Sequence, residues 1–160
     1  MRSRGKGELA VLFTLSIAAC GGGDAACGRG CLIDVAKSYV SAVAAHDTAA
    51  APLAADVAFV ENVTRMKPGE GLWANATSAP KGFAIYVPDV DQQQVGFLGV
   101  MERQGQNGTE PVMVAIRLKL EGGKIGEAEH IDAAVNPNNM ARLQAPRAGH
   151  ASEVPAASRE

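Results

Sequence analysis

Aromatic residues make up only 4% of the 160-residue chain, with one Trp, two Tyr and four Phe. Proteins that hold single-stranded nucleic acid stack bases on several aromatic side chains, and that platform is missing here. Charge of one sign is equally scarce. The formal net charge is −2, and no basic run follows the first six residues, which argues against nucleic acid as a partner. Histidine occurs at 46, 130 and 150 only, too far apart for HExxH or HxH metal spacing. There is no Gly-rich phosphate loop and no GxSxG elbow. Nothing in the residues calls for a cofactor or a metal. What remains is ordinary: 47% apolar and 20% charged, in a length that suits one domain with or without tails. That composition excludes wholesale disorder, collagen and coiled coil.

The N-terminus reads as an address. Arg2, Arg4 and Lys6 precede an apolar run of eleven residues, Leu9 to Ala19. A bilayer span takes about 20 apolar residues, so the run suits the h-region of a secretory signal. It ends Ile17-Ala18-Ala19-Cys20, which resembles the lipobox of bacterial lipoproteins. That resemblance implies cleavage after residue 19, lipid on Cys20 and a membrane anchor facing the periplasm or cell exterior. Plain secretion is the alternative. Cleavage would take the formal charge from −2 to −4, because three basic residues and one acidic residue leave. Residues 20–26 would be a Gly-rich tether. Cys27 and Cys31 remain as an even pair, and an oxidising compartment favours a disulfide between them. Free thiols and a share in a metal site are the alternatives. Three N-x-T sequons, at Asn62, Asn75 and Asn107, are chance matches in a bacterial lipoprotein.

Leu32, Val35, Ala36, Tyr39, Val40 and Val43 recur at helical spacing and predict an amphipathic helix from Leu32 to Ala45. His46-Asp47 ends it, and Asp47 or Thr48 caps a short second helix through Ala49 to Leu53. Val57 to Val60 predicts a strand, and Lys67 to Trp73, with Pro68, Gly69 and Gly71, a loop or a short turn of helix. Further strands are expected at Phe83–Val87, Gln94–Glu102, Val112–Glu121 and Lys124–Ala133, the last two joined by Gly122-Gly123. Residues 136–160 read as polar tail or linker. The order predicts an α+β domain over 27–135, with a curved antiparallel sheet around N-terminal helices.

Several stretches carry a resemblance. They are Cys31-Leu32, Tyr39 with Ala44-Ala45-His46-Asp47, Glu61-Asn62, Gly69-Glu70-Gly71-Leu72-Trp73, Tyr86-Val87-Pro88-Asp89, Val95 to Val100, Arg117-Leu118-Lys119, Gly123-Lys124-Ile125 and Glu129. Over about Cys27 to Ala133 the chain resembles the SnoaL-like branch of the nuclear-transport-factor-2-like superfamily. Within it, the chain is similar to a family of uncharacterised secreted domains of bacteria and fungi. Relatives carry Gly after the Glu-Asn pair, where this chain has Val63. They also continue past the present C-terminus, so a short member or a fragment is expected. The resemblance implies a cone with a pocket at its open end, and it implies no reaction.

Candidate site residues follow. Glu61 and Asp89 are candidate bases and Tyr86 a candidate donor, as in isomerase-like relatives. Glu61 as a satisfied carboxylate and Asp89 as a turn residue are the structural alternatives. Trp73, Tyr86, Phe97, Met113 and Arg117 are the expected lining of a pocket for a small apolar ligand, with plain core packing the alternative for Trp73. Arg117 has an alternative, an ion pair with Glu127 or Glu129 across the hairpin. His46-Asp47 is read as a helix end, and His130 as a core or exposed residue. Three functions are carried forward: a lipid-anchored binding module, a cofactor-free isomerase, cyclase or dehydratase, and an envelope interaction protein. The last would form a homodimer, or dock a partner, through the sheet face.

Overall fold

The apolar stripe near the N-terminus forms helix α1, Arg29–Ala44, burying Leu32, Ala36, Tyr39, Val40 and Val43. It begins three residues earlier than the stripe predicts. Its end is fixed by the backbone. His46 takes a left-handed φ of 57°. The N–H of His46 donates to Val43 O and that of Asp47 to Ala42 O. These two bonds are the pairing of a Schellman motif. The Asp47 side chain then accepts from the N–H groups of Ala49 and Ala50, capping a 3-10 turn at Thr48–Ala50. The computed structural model describes residues 26–80 and 84–139. The signal segment, Cys20, Phe83 and residues 140–160 of the expected tail lie outside them.

The strands are β1 (Leu53–Glu61), β2 (Thr64–Met66), β3 (Ala76–Ser78), β4 (Ala84–Asp89), β5 (Gln94–Gly105), β6 (Gly108–Glu121) and β7 (Lys124–Ala134). A four-residue helix, α2 (Leu72–Asn75), lies between β2 and β3. The sheet runs β2-β1-β7-β6-β5, and the far edge of β5 pairs with β4 and with β3. The antiparallel expectation holds for every pair except one. β1 lies parallel to β7, from Ala58↔Glu127 to Glu61↔His130, so the sheet is mixed. A parallel neighbour needs a long crossover, here everything between residues 61 and 124, and no local pattern announces it. β2 and β3 were not expected either. Three residues are too few for an alternation to show.

Two hairpins, one long and one short, follow from turn chemistry. Gly122 and Gly123 both adopt positive φ, 56° and 75°, as a two-residue turn between β6 and β7 requires. Asn62 and Val63 do the same between β1 and β2, at 47° and 60°. A β-branched residue in that region is strained, and Val63 is 97% exposed. Near the β6–β7 turn the register shifts, with Lys119 opposite Glu127 and Leu120 opposite Ile125. Gly126 is the extra residue of a bulge. The bulge lets both Ile125 and Ala128 face inward.

Alternation then sorts the sheet into two faces. Val112, Val114, Ile116, Leu118 and Leu120 of β6 are buried with Val95, Phe97 and Met101 of β5. Ile125, Ala128 and Phe59 join them, packed against α1 and α2 in one core. The fold class is the expected α+β cone, with the helices on the inner side.

Candidate functional site

Inside the cone, four side chains from four elements form a hydrogen-bonded chain. Trp73 of α2 donates from Nε1 to the Tyr39 hydroxyl of α1, at 3.4 Å. The Tyr39 hydroxyl lies 2.8 Å from His130 Nε2 on β7. His130 Nδ1 lies 3.3 Å from Glu61 Oε2, at the end of β1. Both Glu61 oxygens also accept from the N–H of Leu72, at 3.0 Å each. The network has one consistent direction. Nδ1–H of His130 donates to the carboxylate, and Nε2 accepts from Tyr39.

This is a carboxylate–imidazole–hydroxyl order, the order by which a base is oriented and a hydroxyl activated. The surroundings oppose such use. Trp73, Tyr39 and His130 are each 1% exposed and Glu61 6%. The rings of Tyr39 and Phe59 meet His130 edge-on, and Tyr39 meets Trp73 the same way. Burial, more than any neighbour, pushes the Tyr39 hydroxyl far up from its ordinary value, and the Glu61 charge adds to the effect. Tyr39 therefore keeps its proton. None of the clefts beside α1, the 3-10 turn, the β5–β6 turn or the outer sheet face is lined by Tyr39, Glu61, Trp73 or His130. The chain satisfies buried polar groups and ties α1 and α2 to the inner face of the sheet.

Gly71 shows how tightly. It sits at φ 62° and ψ −128°, a mirror-β region that glycine alone populates freely. A Cβ at this position would lie 2.2 Å from Glu61 Oε1. The Gly69-Glu70-Gly71 stretch is thus what lets α2 reach the carboxylate.

The remaining expected site residues separate. Trp73, Tyr86 and Phe97 face inward, with the Tyr86 and Phe97 rings 5.4 Å apart. Tyr86 is half-buried, and desolvation raises its hydroxyl from the ordinary value. Met113 and Arg117 do not line the cone. They alternate with the buried β6 residues and therefore stand on the outer face. Arg117 donates to Glu127 (2.6 Å), Glu129 (2.9 Å) and Gln94 (3.2 Å), so the ion-pair alternative is the observed one. Tyr86 and Asp89 cannot act as a pair. An odd spacing along β4 puts them on opposite faces, and exposed Asp89 accepts from Gln92 N in the turn. His46 is bonded to the carbonyl of Trp73 and Asp47 caps the 3-10 turn, so the two work separately. Cys27 and Cys31 are joined as a disulfide, with Cα atoms 5.4 Å apart. Among the described residues no group of three or more His, Cys, Asp or Glu could hold a metal ion.

Sequence reasoning missed Tyr39 and His130 as partners. The signals existed separately: Tyr39 lies in the helical stripe, and His130 shares the inward parity of Ala128. A second polar cluster was also missed. Asn62 and Asp132 exchange two hydrogen bonds, Nδ2 to Oδ1 at 2.8 Å and the Asp132 N–H to Oδ1 at 3.1 Å. Asp132 and Glu110 in turn hold Arg103.

The outer face is built differently. The register places Ile85, Leu98, Ala115 and Ile131 in one row across β4, β5, β6 and β7. Val100, Met113 and Ala133 form the row on one side. Val87, Gly96, Arg117 and Glu129 form the row on the other, and Asp89, Gln94, Lys119 and Glu127 follow. The face thus grades from apolar to charged along the strands. Val87 and Ile131 are 63% and 64% exposed. They flank a groove of about 330 Å³ with Leu98 and Ala115.

No family model matches the sequence. No curated protein matches it either. Solved structures do match in fold. AusH from Aspergillus nidulans aligns at 12% identity, covering 68% of this chain and 88% of its own, with a TM-score of 0.55. BvnE pinacolase from Penicillium brevicompactum aligns at 12% identity over 65% and 84%, at 0.53. PrhC from Penicillium brasilianum aligns at 12% over 64% and 80%, at 0.51. The chain shares with them a curved, unclosed mixed sheet with few helices, the kind of fold that its resemblance implies. At such identities the likeness concerns fold alone.

Proposed function

We propose that this chain is an extracytoplasmic protein, held to the membrane by lipid on Cys20, that works as an interaction module by pairing with a second copy through the outer face of its sheet. The observation that carries the reading is the Ile85–Leu98–Ala115–Ile131 row with its groove, an apolar surface left uncovered by the described chain. Exposed apolar patches of this kind mark interaction sites. A second copy fits the charge pattern. Arg117 and Lys119 are already paired within the chain to Glu121, Glu127 and Glu129. The face therefore offers a partner apolar area beside compensated charge. A two-fold axis would set one such surface against another.

A small apolar ligand remains the competing occupant, now in the outer groove and not in the cone. A third reading, cofactor-free isomerase, cyclase or dehydratase chemistry, has one observation in its favour, the Glu61–His130–Tyr39 order. It would require Trp73 to swing out and admit substrate.

Native mass spectrometry of the exported chain in a Cys20→Ser background tests the proposal. A dimer at micromolar concentration is expected, and Ile131→Lys should convert it to monomer with an unchanged unfolding transition of the monomer. Monomer at every concentration, or a dimer indifferent to Ile131→Lys, overturns it. An adduct of a few hundred daltons on a monomer would hand the groove to a small molecule instead.

A further inference from the structure

The Cys27–Cys31 disulfide is placed unlike a structural staple. It closes a loop of only four residues' separation, so it restricts the unfolded chain little. Its two sulfurs have unequal surroundings. Cys27 is buried, and its peptide is clamped by one side chain. Its N–H donates to Gln93 Oε1 at 2.6 Å, while Gln93 Nε2 donates to Cys27 O at 3.1 Å. Gln93 adopts a left-handed φ of 52°. Cys31 is exposed in the first turn of α1. The helix bond ladder starts only at Leu32 N–H to Gly28 O, and no acidic residue occupies the first turn. A thiolate at Cys31 would thus face the positive end of a 16-residue helix, with Asp34, three residues on, as the carboxylate that shares its cleft.

A second feature, independent of the helix end, adjoins the sulfur. Cys31 forms one wall of a cleft of about 600 Å³, with Val35 and Ser38 of α1 beside it and Ala49 to Pro52 opposite. Its lining is mainly small and apolar, with Asp34 the charged exception. A cleft lined by the exposed half of a disulfide suits an extended peptide bearing thiols, the group that exchanges with a disulfide.

We propose that Cys27–Cys31 is a redox-exchangeable disulfide that oxidises a dithiol peptide lying in the cleft between α1 and Ala49–Pro52, with Cys31 the sulfur attacked. In the first step a peptide thiolate bonds to Cys31 Sγ. The Cys27–Cys31 bond breaks, and its electron pair goes to Cys27, which takes up a proton. In the second step the peptide's other thiolate bonds to the peptide sulfur held by Cys31. Cys31 leaves as a thiolate, stabilised at the helix N-terminus, and is protonated from solvent. The peptide dithiol loses two electrons and two protons and becomes a disulfide; Cys27 and Cys31 gain both. A low leaving-group pKa speeds the second step.

The test uses the oxidised chain in a Cys20→Ser background and follows free thiols by alkylation and mass. The folded protein should be reduced by dithiothreitol about tenfold faster than the same disulfide in urea. An inert staple gives the reverse order, and that result overturns the proposal. In Cys27→Ser, oxidised glutathione should form a stable adduct on Cys31, whereas Cys27 in Cys31→Ser should stay unmodified. Equal labelling of the two overturns the assignment of Cys31. Ala50→Trp fills the cleft. It should slow a synthetic dithiol peptide about tenfold and leave the dithiothreitol rate unchanged. If both rates or neither respond, the cleft does not receive the peptide. If the single-cysteine variants fail to fold, the rates on the intact pair still decide.

Discussion

The inner and outer faces of the same strands handle polarity in opposite ways. Inside, Trp73, Tyr39, His130 and Glu61 are linked end to end and shut away from water. Outside, Arg117 and Lys119 meet their carboxylates in solvent, and the apolar residues beside them are open. The difference is one of dielectric. A polar group deprived of water costs about 1–3 kcal/mol when its partner is lost, whereas an exposed ion pair contributes about 0–1. The inside of the cone, where the resemblance implied a pocket, is spent on packing. The free surface is the back of the sheet.

The hardest blow to that contrast is Trp73→Ala. Trp73 is the largest of the fully buried side chains, and it holds Tyr39 from α2. Its removal should destabilise the fold by about 3–5 kcal/mol, measured by urea unfolding. A loss below about 1 kcal/mol would mean that the cone is not packed as described. The interior would then be open to the ligand reading.

How much of this arrangement was legible beforehand depended on distance along the chain. The β6 alternation from Val112 to Leu120 and the Gly122-Gly123 turn are local, and both read correctly into strands and hairpin. The α1 stripe is local too. The inner chain is not. Tyr39 and His130 are 91 residues apart, and Glu61 and His130 are 69 apart. Glu61 meets His130 only because β1 enters the sheet parallel to β7, a pairing that no short-range pattern encodes, and Tyr39 joins them because α1 packs on the inner face. Met113 and Arg117, expected to line the cone, show a different limit. Alternation separates two sets of residues, but the burial of one set decides which set lines the interior.

Gly71→Ala is the second and smaller perturbation. The new Cβ would meet Glu61 Oε1 at 2.2 Å. A free carboxylate would swing aside, but this one is held by Leu72 N–H and His130. Moving it breaks those bonds, and the positive φ adds its own strain. A loss of about 1–3 kcal/mol is expected, smaller in Glu61→Ala/Gly71→Ala than the two single losses added. Strict additivity in that double-mutant cycle would show that Gly71 and Glu61 do not touch.

The smallest effect belongs to the outer face. Arg117, through its hydrogen bonds, holds Glu127 and Glu129 below the ordinary carboxylate range, with Lys119 assisting at Glu127. A carboxylate whose pKa is lower in the folded chain than in the unfolded one stabilises the fold above its unfolded pKa. That contribution drains away as pH falls through the folded value. Both carboxylates are well exposed, so water and salt screen most of it. Arg117→Gln should therefore cost less than about 1 kcal/mol at pH 7 in low salt. The difference from the parent chain should shrink as pH falls through the lowered folded values, and vanish once both glutamates are protonated in either state. It should also shrink in 1 M salt, where the screening length falls to about 3 Å. Monomer unfolding measured on the Ile131→Lys background keeps the result free of any dimer contribution. A loss of several kcal/mol, or one that persists at low pH, would mean that the outer charges are as shielded as the inner ones. The two faces would then no longer differ in the way their polar groups are held.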